Sequence, residues 1–314
     1  MPRNEEGFVL VTVLLVIALL FPVVIAFNSR VQLNLLQAEN FRNSVQSLRM
    51  ARSGVEGAIA ILQADDVTYD SNKDKWAMAL PALAVADGVL DVKVTDEDSK
   101  LSLNALVGQT GTDVNKDVEA RLRSLITKLG GKPEIVDALI DWIDTDDAVT
   151  GSGGAEDEYY TDAGYRAKNG PLDSVDELLL VKGFDKELLF EKRLADFVTV
   201  AQTDGKINVN TAPVETLLAV LGTRTPGLAT PLSESDVEDL VRYREENEFK
   251  TVEDVNRVIK ISTTQAGAIA GLIKVNSSFF TVRSKFTTGK IARQVEAMLK
   301  RDGNTVATMS WREY

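Results

Sequence analysis

Between Phe8 and Phe27 the chain carries no charge, and Thr12 is the only side chain with a hydroxyl. That run is about the twenty apolar residues a helix needs to cross a bilayer core. Polar residues then return, but Val31, Leu35, Ala38, Phe41, Val45, Leu48, Ala51, Val55, Ala58 and Leu62 recur in steps of three and four, an apolar stripe along one helix face. Neither proline nor glycine falls between Pro22 and Gly54. The pattern predicts one helix from Phe8 to about Gln63, roughly 80 Å long at 1.5 Å per residue. A removable secretion signal would have a positive start, a shorter apolar stretch and a small-residue cleavage site. Here Arg3 stands against Glu5 and Glu6, and Val24-Ile25-Ala26 is the competing cleavage site.

Further along, the period changes to two. In GVLDVKVTDEDSKLSLNAL, Leu90, Val92 and Val94 alternate with Asp91, Lys93 and Thr95. Leu101 and Leu103 alternate after Asp96-Glu97-Asp98, which predicts a hairpin with an acidic turn. GKINVNTAP reads as a strand through Ile207 and Val209. FFTVRSKFTTGKIARQVEAML reads as two strands about Thr288-Gly289, with TVATMSW as a last one. Between these lie helices. DVEARLRSLITKLGGKPEIVDALIDWID breaks into two at Gly130-Gly131, with Pro133 opening the second. LDSVDELLLVKG forms another, with Asp173 or Ser174 as cap and Gly183 as stop. APVETLLAVLG, SESDVEDLVRYREENEF and KTVEDVNRVIK make a second set.

The two sets look alike. VDALIDW from Val136 matches VEDLVRY from Val237, and SVDELLLVKG from Ser174 matches TVEDVNRVIK from Thr251. The expectation is a helical module used twice, with a loop inserted into the first copy; chance likeness between amphipathic helices is the alternative. Such a module resembles helix-hairpin-helix folds, whose DNA-binding form presents glycine-rich turns and basic residues to phosphate. Here the turns read LVKGF and VIKIS, and acids crowd them.

Composition narrows the function. A formal charge of −12 argues against a nucleic-acid partner. With neither cysteine nor histidine, the chain cannot form disulfides, the usual zinc sites, or Ser-His-Asp and Cys-His nucleophile systems. Carboxylate pairs could still do acid–base work.

Acids concentrate in one place. From Asp141 to Tyr165 there are eight and no base: Asp141, Asp144, Asp146, Asp147, Glu156, Asp157, Glu158 and Asp162. GSGG lies between the two clusters and lets the loop fold back. Converging carboxylates repel one another without a cation, and calcium takes oxygen ligands in flexible geometry. The candidate ligands are Asp144, Asp146, Asp147, Glu156 and Asp157, with Asp141 and Asp162 as outer candidates. The loop lacks the ligand order of an EF-hand, and a solvated acidic loop is the other reading.

Gly7-Phe8, at the edge of the apolar run, resembles the prepilin signal of type IV pilins and type II secretion pseudopilins. In that family a peptidase cuts after the glycine and the apolar helix is kept. Thr12 stands where most pilins carry glutamate. A carboxylate in a bilayer needs a partner, supplied in the family by the terminal amine of the subunit assembled before. Thr12 therefore points to a first subunit, at a filament tip, or is simply a tolerated polar residue. DALIDWIDTDD, GAEDEYY, YRAKNGPLDSVDELLLVKGF and INVNTAP together resemble the type II secretion minor pseudopilin K family over most of the chain.

The resemblance implies an α+β chain: a pilin-like long N-terminal helix packed on a small antiparallel sheet, with a large inserted α-helical domain holding two helix-hairpin-helix-like modules. The expected parts are a leader at 1–7, a transmembrane segment at 8–27, and the stalk with first strands at 28–110. Module 1 with the acidic loop follows at 111–203, a linking strand at 204–212, module 2 at 213–275 and the C-terminal strands at 276–314. It also implies calcium in the inserted domain and no catalysis. The implied partners are minor pseudopilins I and J, the major pseudopilin, the prepilin peptidase and the inner-membrane assembly platform. The implied location is the inner membrane, with a periplasmic head. A membrane-anchored DNA receptor and a calcium-dependent periplasmic enzyme are the competing functions.

Overall fold

The computed structural model describes residues 5–78, 82–85, 87–108 and 110–314. Residues 1–4 of the expected leader therefore lie outside the described residues. The expected stalk is one unbroken helix, α1 (Glu5–Gln63), which absorbs Pro22. Its apolar N-terminal half is unburied and is long and apolar enough to span a membrane.

The apolar stripe divides. Ala51, Val55, Ala58 and Leu62 are buried against Phe280, Val282, Phe286, Val295, Ala297 and Leu299. Each buried valine or leucine side chain contributes about 1.5–3 kcal/mol by leaving water. Val31, Leu35 and Phe41 stay exposed, so the lower part of the stripe is uncovered among the described residues. The head end of α1 packs on a five-stranded antiparallel sheet in the order β1-β2-β7-β8-β9. These strands are β1 (Leu83–Val85), β2 (Gly88–Asp96), β7 (Phe279–Thr288), β8 (Ile291–Asp302) and β9 (Thr305–Glu313). On β7 the alternation places Phe280, Val282, Ser284 and Phe286 toward the helix, while Arg283 and Lys285 stay exposed.

The expected hairpin at Asp96-Glu97-Asp98 is not formed. β2 pairs with β7, far along the chain. Leu101–Ser102 (β3) instead pairs in parallel with Val198–Thr199 (β4), and Leu103–Ala105 is a 3-10 turn. Period-two alternation shows that a strand exists but not which strand it joins. The three acids are buried, and two of them hold the sheet to the insert. One Asp98 oxygen accepts the backbone N–H groups of Ser278 (2.6 Å) and Phe279 (2.9 Å), and the other accepts Lys274 Nζ at 2.8 Å. Asp96 accepts the hydroxyls of Ser277 and Thr211 at 2.6 and 2.5 Å.

Everything between these points is the inserted domain, with its own core running from Leu101 to Val275. Its first part holds α2 (Lys116–Lys128), α3 (Ile135–Ile143), α4 (Asp157–Thr161), a 3-10 turn at Val175–Leu180 and α5 (Leu194–Phe197). Its second part holds β5 (Ile207–Asn208), α6 (Val214–Leu221), α7 (Glu234–Glu246), a 3-10 turn at Val252–Asp254, α8 (Val255–Val258), α9 (Thr263–Ala270) and β6 (Ile273–Lys274). The linking strand is only the two residues of β5, paired in parallel with β6. The matched stretches fall on corresponding elements: α3 with α7, and one 3-10 turn with the other. Each part is also bracketed by a two-residue parallel pair, β3 with β4 and β5 with β6.

The insert is attached at one end of the sheet. Gln63, closing α1, accepts from Asn304 just beyond β8, while Ser44 lower on the stalk accepts from Arg293 at the start of β8. β8 therefore climbs away from the membrane segment, and its antiparallel partner β7 descends. The chain leaves for the insert after β2 and returns before β7, at the end of the sheet far from that segment.

Candidate metal centre

Asp137, Asp141 and Asp144 lie four and three residues apart, so helix α3 sets them on one face. The first two close the loop. Asp141 accepts the N–H groups of Thr150 at 2.9 Å and Ala155 at 2.7 Å. Asp137 accepts that of Gly153 at 3.0 Å and is paired with Arg123. The chain turns so tightly that a Cβ on Gly154 would stand 2.3 Å from the Thr150 carbonyl and 2.4 Å from Asp141 Oδ2. Glycine is required there. Lys182 Nζ donates to the Gly154 carbonyl at 2.8 Å. Beyond the loop, α4 is anchored by Tyr160, fully buried and edge-on to Trp142. The Trp142 indole N–H reaches Glu177 at 2.9 Å.

This closure returns Glu156 to the end of α3. Asp144, Asp146 and Glu156 each offer a carboxylate oxygen, and the three oxygens lie within 4.8 Å of one another. Asp144 and Glu156 are buried. Asp144 Oδ1 and both Glu156 oxygens lack any hydrogen-bond partner. Burial first, then Asp146 and Asp141, push Asp144 up to about 6. Burial first, then Asp141, Asp144, Asp147 and Asp146, push Glu156 up to about 7. Orphaned, desolvated oxygens of like charge fit a hard, oxygen-seeking cation such as calcium.

The other candidates are placed differently. Asp141 is spent on loop backbone. Asp157 accepts the Ala167 N–H at 2.9 Å, yet with Asp147 and Glu156 it lines an open cavity beside the cluster. Asp162 is exposed at the C-terminal end of α4. Sequence reasoning passed over Asp137 and Lys182. The regular Asp137-Asp141-Asp144 spacing was the signal for the first.

A single apolar helix packed at its head end on an antiparallel sheet, with a separately cored helical insert bearing a carboxylate cluster, defines a membrane-anchored pilin-like subunit. A family profile described as "Type II secretion system (T2SS), protein K" matches residues 99–203, the first part of the insert. The type II secretion system protein K of Pseudomonas aeruginosa is 31% identical, covering 96% of this chain and 90% of that protein. That of Aeromonas hydrophila is 27% identical, covering 95% and 94%. Among solved structures, a chain of the GspK-GspI-GspJ complex from enterotoxigenic Escherichia coli superposes with a TM-score of 0.71 at 18% identity, over 88% of this chain and 99% of that one. The chain belongs to the type II secretion system protein K family. It is a pseudopilin, a structural component of a secretion machine, and its apolar N-terminal helix fits a single-pass membrane anchor.

Proposed function

We propose that this chain is the minor pseudopilin that caps the pseudopilus, starting filament assembly in the inner membrane and supporting export across the outer membrane. The observation that carries the reading is the point of attachment of the insert. It joins the sheet at the end away from the membrane segment, where a subunit stacked above would have to sit. Thr12 agrees with a first position, because its hydroxyl donates to the Phe8 carbonyl at 2.7 Å and asks nothing of a subunit ahead. Below, the uncovered stripe of Val31, Leu35 and Phe41 packs on neighbouring stalks. The partners are minor pseudopilins I and J, in keeping with the complex that holds the similar structure. The prepilin peptidase cuts after Gly7, the assembly platform draws the subunit from the membrane, and the major pseudopilin extends the filament.

Calcium is the expected ion of the loop, held by Asp144, Asp146 and Glu156. It supplies the positive charge that lets these carboxylates stay ionised together. Asp141 and Asp137 orient the loop around it through backbone N–H groups. The fold then has a fixed surface between α3 and α4.

The test is co-purification of the tagged full-length chain from membranes of cells expressing the candidate pseudopilins, with and without it. Recovery of a stable ternary complex with I and J, and fewer filaments when this chain is absent, is the expected result. A chain that purifies alone and leaves filament number unchanged rejects the tip position, and salt-sensitive DNA capture would point to the receptor alternative.

A further inference from the structure

A second group of acids sits at the opposite end of the fold's logic, in the joint between stalk and sheet. Asp65 follows the end of α1 by two residues, and Asp70 and Asp74 lie in the segment that crosses to the sheet. One carboxylate oxygen from each lies within 4.8 Å of the others. Asp70 is wholly buried. Its Oδ2 accepts the Ser277 N–H at 2.7 Å and is paired with Arg301, but its Oδ1 has no partner. Asp65 Oδ2 is likewise buried without a hydrogen bond, 3.8 Å from Arg301 Nη1. Asp74 is held toward the group because its Oδ2 accepts the Ser71 N–H at 2.6 Å.

Arg301 accounts for part of this arrangement and not for the rest. Its Nη2 is committed to Asp70 and to the Ser277 carbonyl, and its Nη1 stands 3.8 Å from Asp65 Oδ2 without a hydrogen bond. One guanidinium against three carboxylates leaves a net of two negative charges among these groups. An isolated buried carboxylate oxygen is costly unless paired or bound to a metal. Asp70 then has one oxygen on arginine and one free, the posture of a carboxylate bridging a guanidinium and a cation. We propose that Asp65, Asp70 and Asp74 form a second, independent site for a divalent cation of the calcium class, which ties the end of the stalk to β8 through Arg301. All-oxygen donors and irregular spacing favour calcium over magnesium, which demands near-octahedral geometry. The site shares no residue with the loop of the inserted domain, so it stands whether or not that loop binds calcium.

The test uses the full-length chain in detergent, stripped of metal and titrated with calcium chloride in equilibrium dialysis with radioactive calcium. The loop is first silenced with Asp144→Asn and Glu156→Gln. That parent is expected to keep one bound calcium, and adding Asp65→Asn with Asp74→Asn is expected to remove it. A parent that binds none, or a four-fold variant that binds as much as its parent, overturns the proposal. Should the four-fold variant fail to fold, Asp74→Asn alone in the same parent decides the matter. Asp74 is only half-buried and holds just a local turn, and its loss is expected to weaken calcium binding at least tenfold; unchanged affinity overturns the site.

Discussion

Gly54 of the stalk lies so close to Ser284 of the sheet that a Cβ on the glycine would stand 2.1 Å from the serine Oγ. The helix reaches the sheet only because that methyl is missing. Val92 closes the same gap, 2.9 Å from the same point. Gly54→Ala is therefore expected to destabilise the head by about 1–3 kcal/mol, the usual cost of overpacking a tight core. Ser284→Ala removes the worst contact and a buried hydroxyl with no partner. A thermal-denaturation double-mutant cycle should show Gly54→Ala costing less in the Ser284→Ala background; equal costs in both would place the strain elsewhere.

The loop of the inserted domain is closed by a residue outside the ion cluster. Asp141→Ala strips the N–H groups of Thr150 and Ala155 of their acceptor and lets Glu156 drift from Asp144. Calcium affinity should fall at least tenfold even though Asp144, Asp146 and Glu156 are all retained. Hydrogen exchange should quicken first at Thr150 and Ala155. Unchanged protection at those two amides would mean that the loop is closed by something other than Asp141.

The same carboxylates make stability depend on pH in a direction opposite to the usual acid effect. Glu156 and Asp144 are raised to about 7 and about 6, so the ion-free folded chain binds more protons than the unfolded one between about pH 4 and 7. Their contribution is fully present below the ordinary carboxylate range and is lost as pH rises through 6 and 7. Buried Asp96, raised to about 7 by burial and then by Asp98, acts in the same sense. In chelator, the melting temperature of Asp144→Asn/Glu156→Gln should fall less between pH 5.5 and 7.5 than that of the natural chain. Calcium binding should release protons at pH 6.5 and almost none at pH 8.5, which calorimetry in buffers of different ionisation enthalpy reads directly.

At the junction of sheet and insert, Asp98 satisfies two backbone N–H groups and Lys274 at once. Asp98→Ala leaves the two N–H groups short of an acceptor in a buried place and leaves Lys274 with Asp204 alone, at 3.1 Å. A loss of about 3–5 kcal/mol is expected, the range for breaking a buried pair from one side. Urea denaturation followed by tryptophan fluorescence would measure it. A loss below about 1 kcal/mol would show that water replaces the carboxylate there.

The stalk, the C-terminal hairpins and most helices were legible in the sequence, because each is set by a period repeated over many neighbouring residues. The stripe from Ala51 to Leu62 and the alternation from Phe279 to Thr288 read the same way in the chain and in the fold. The acidic loop was legible as charge density, and Gly153-Gly154 as the means of folding it back. Its division of labour was not. Asp141 and Asp144 are three residues apart on one helix, yet one binds backbone and the other is left bare. That depends on where Thr150 and Ala155 return.

Pairings between distant segments were hidden for the same reason. Leu101 and Leu103 promised a return to β2, and the chain instead went on to build a domain before β7 arrived. Asp65, Asp70 and Asp74 are ordinary loop acids until Arg301 and Ser277 are folded against them. The sequence by itself determined the apolar anchor, the helical and strand periods and the charge of the acidic loop, since these arise from contacts a few residues apart. Tertiary structure alone decided which strand pairs with which and which carboxylates lose their water, because burial is a property of the packed surfaces that distant segments make together.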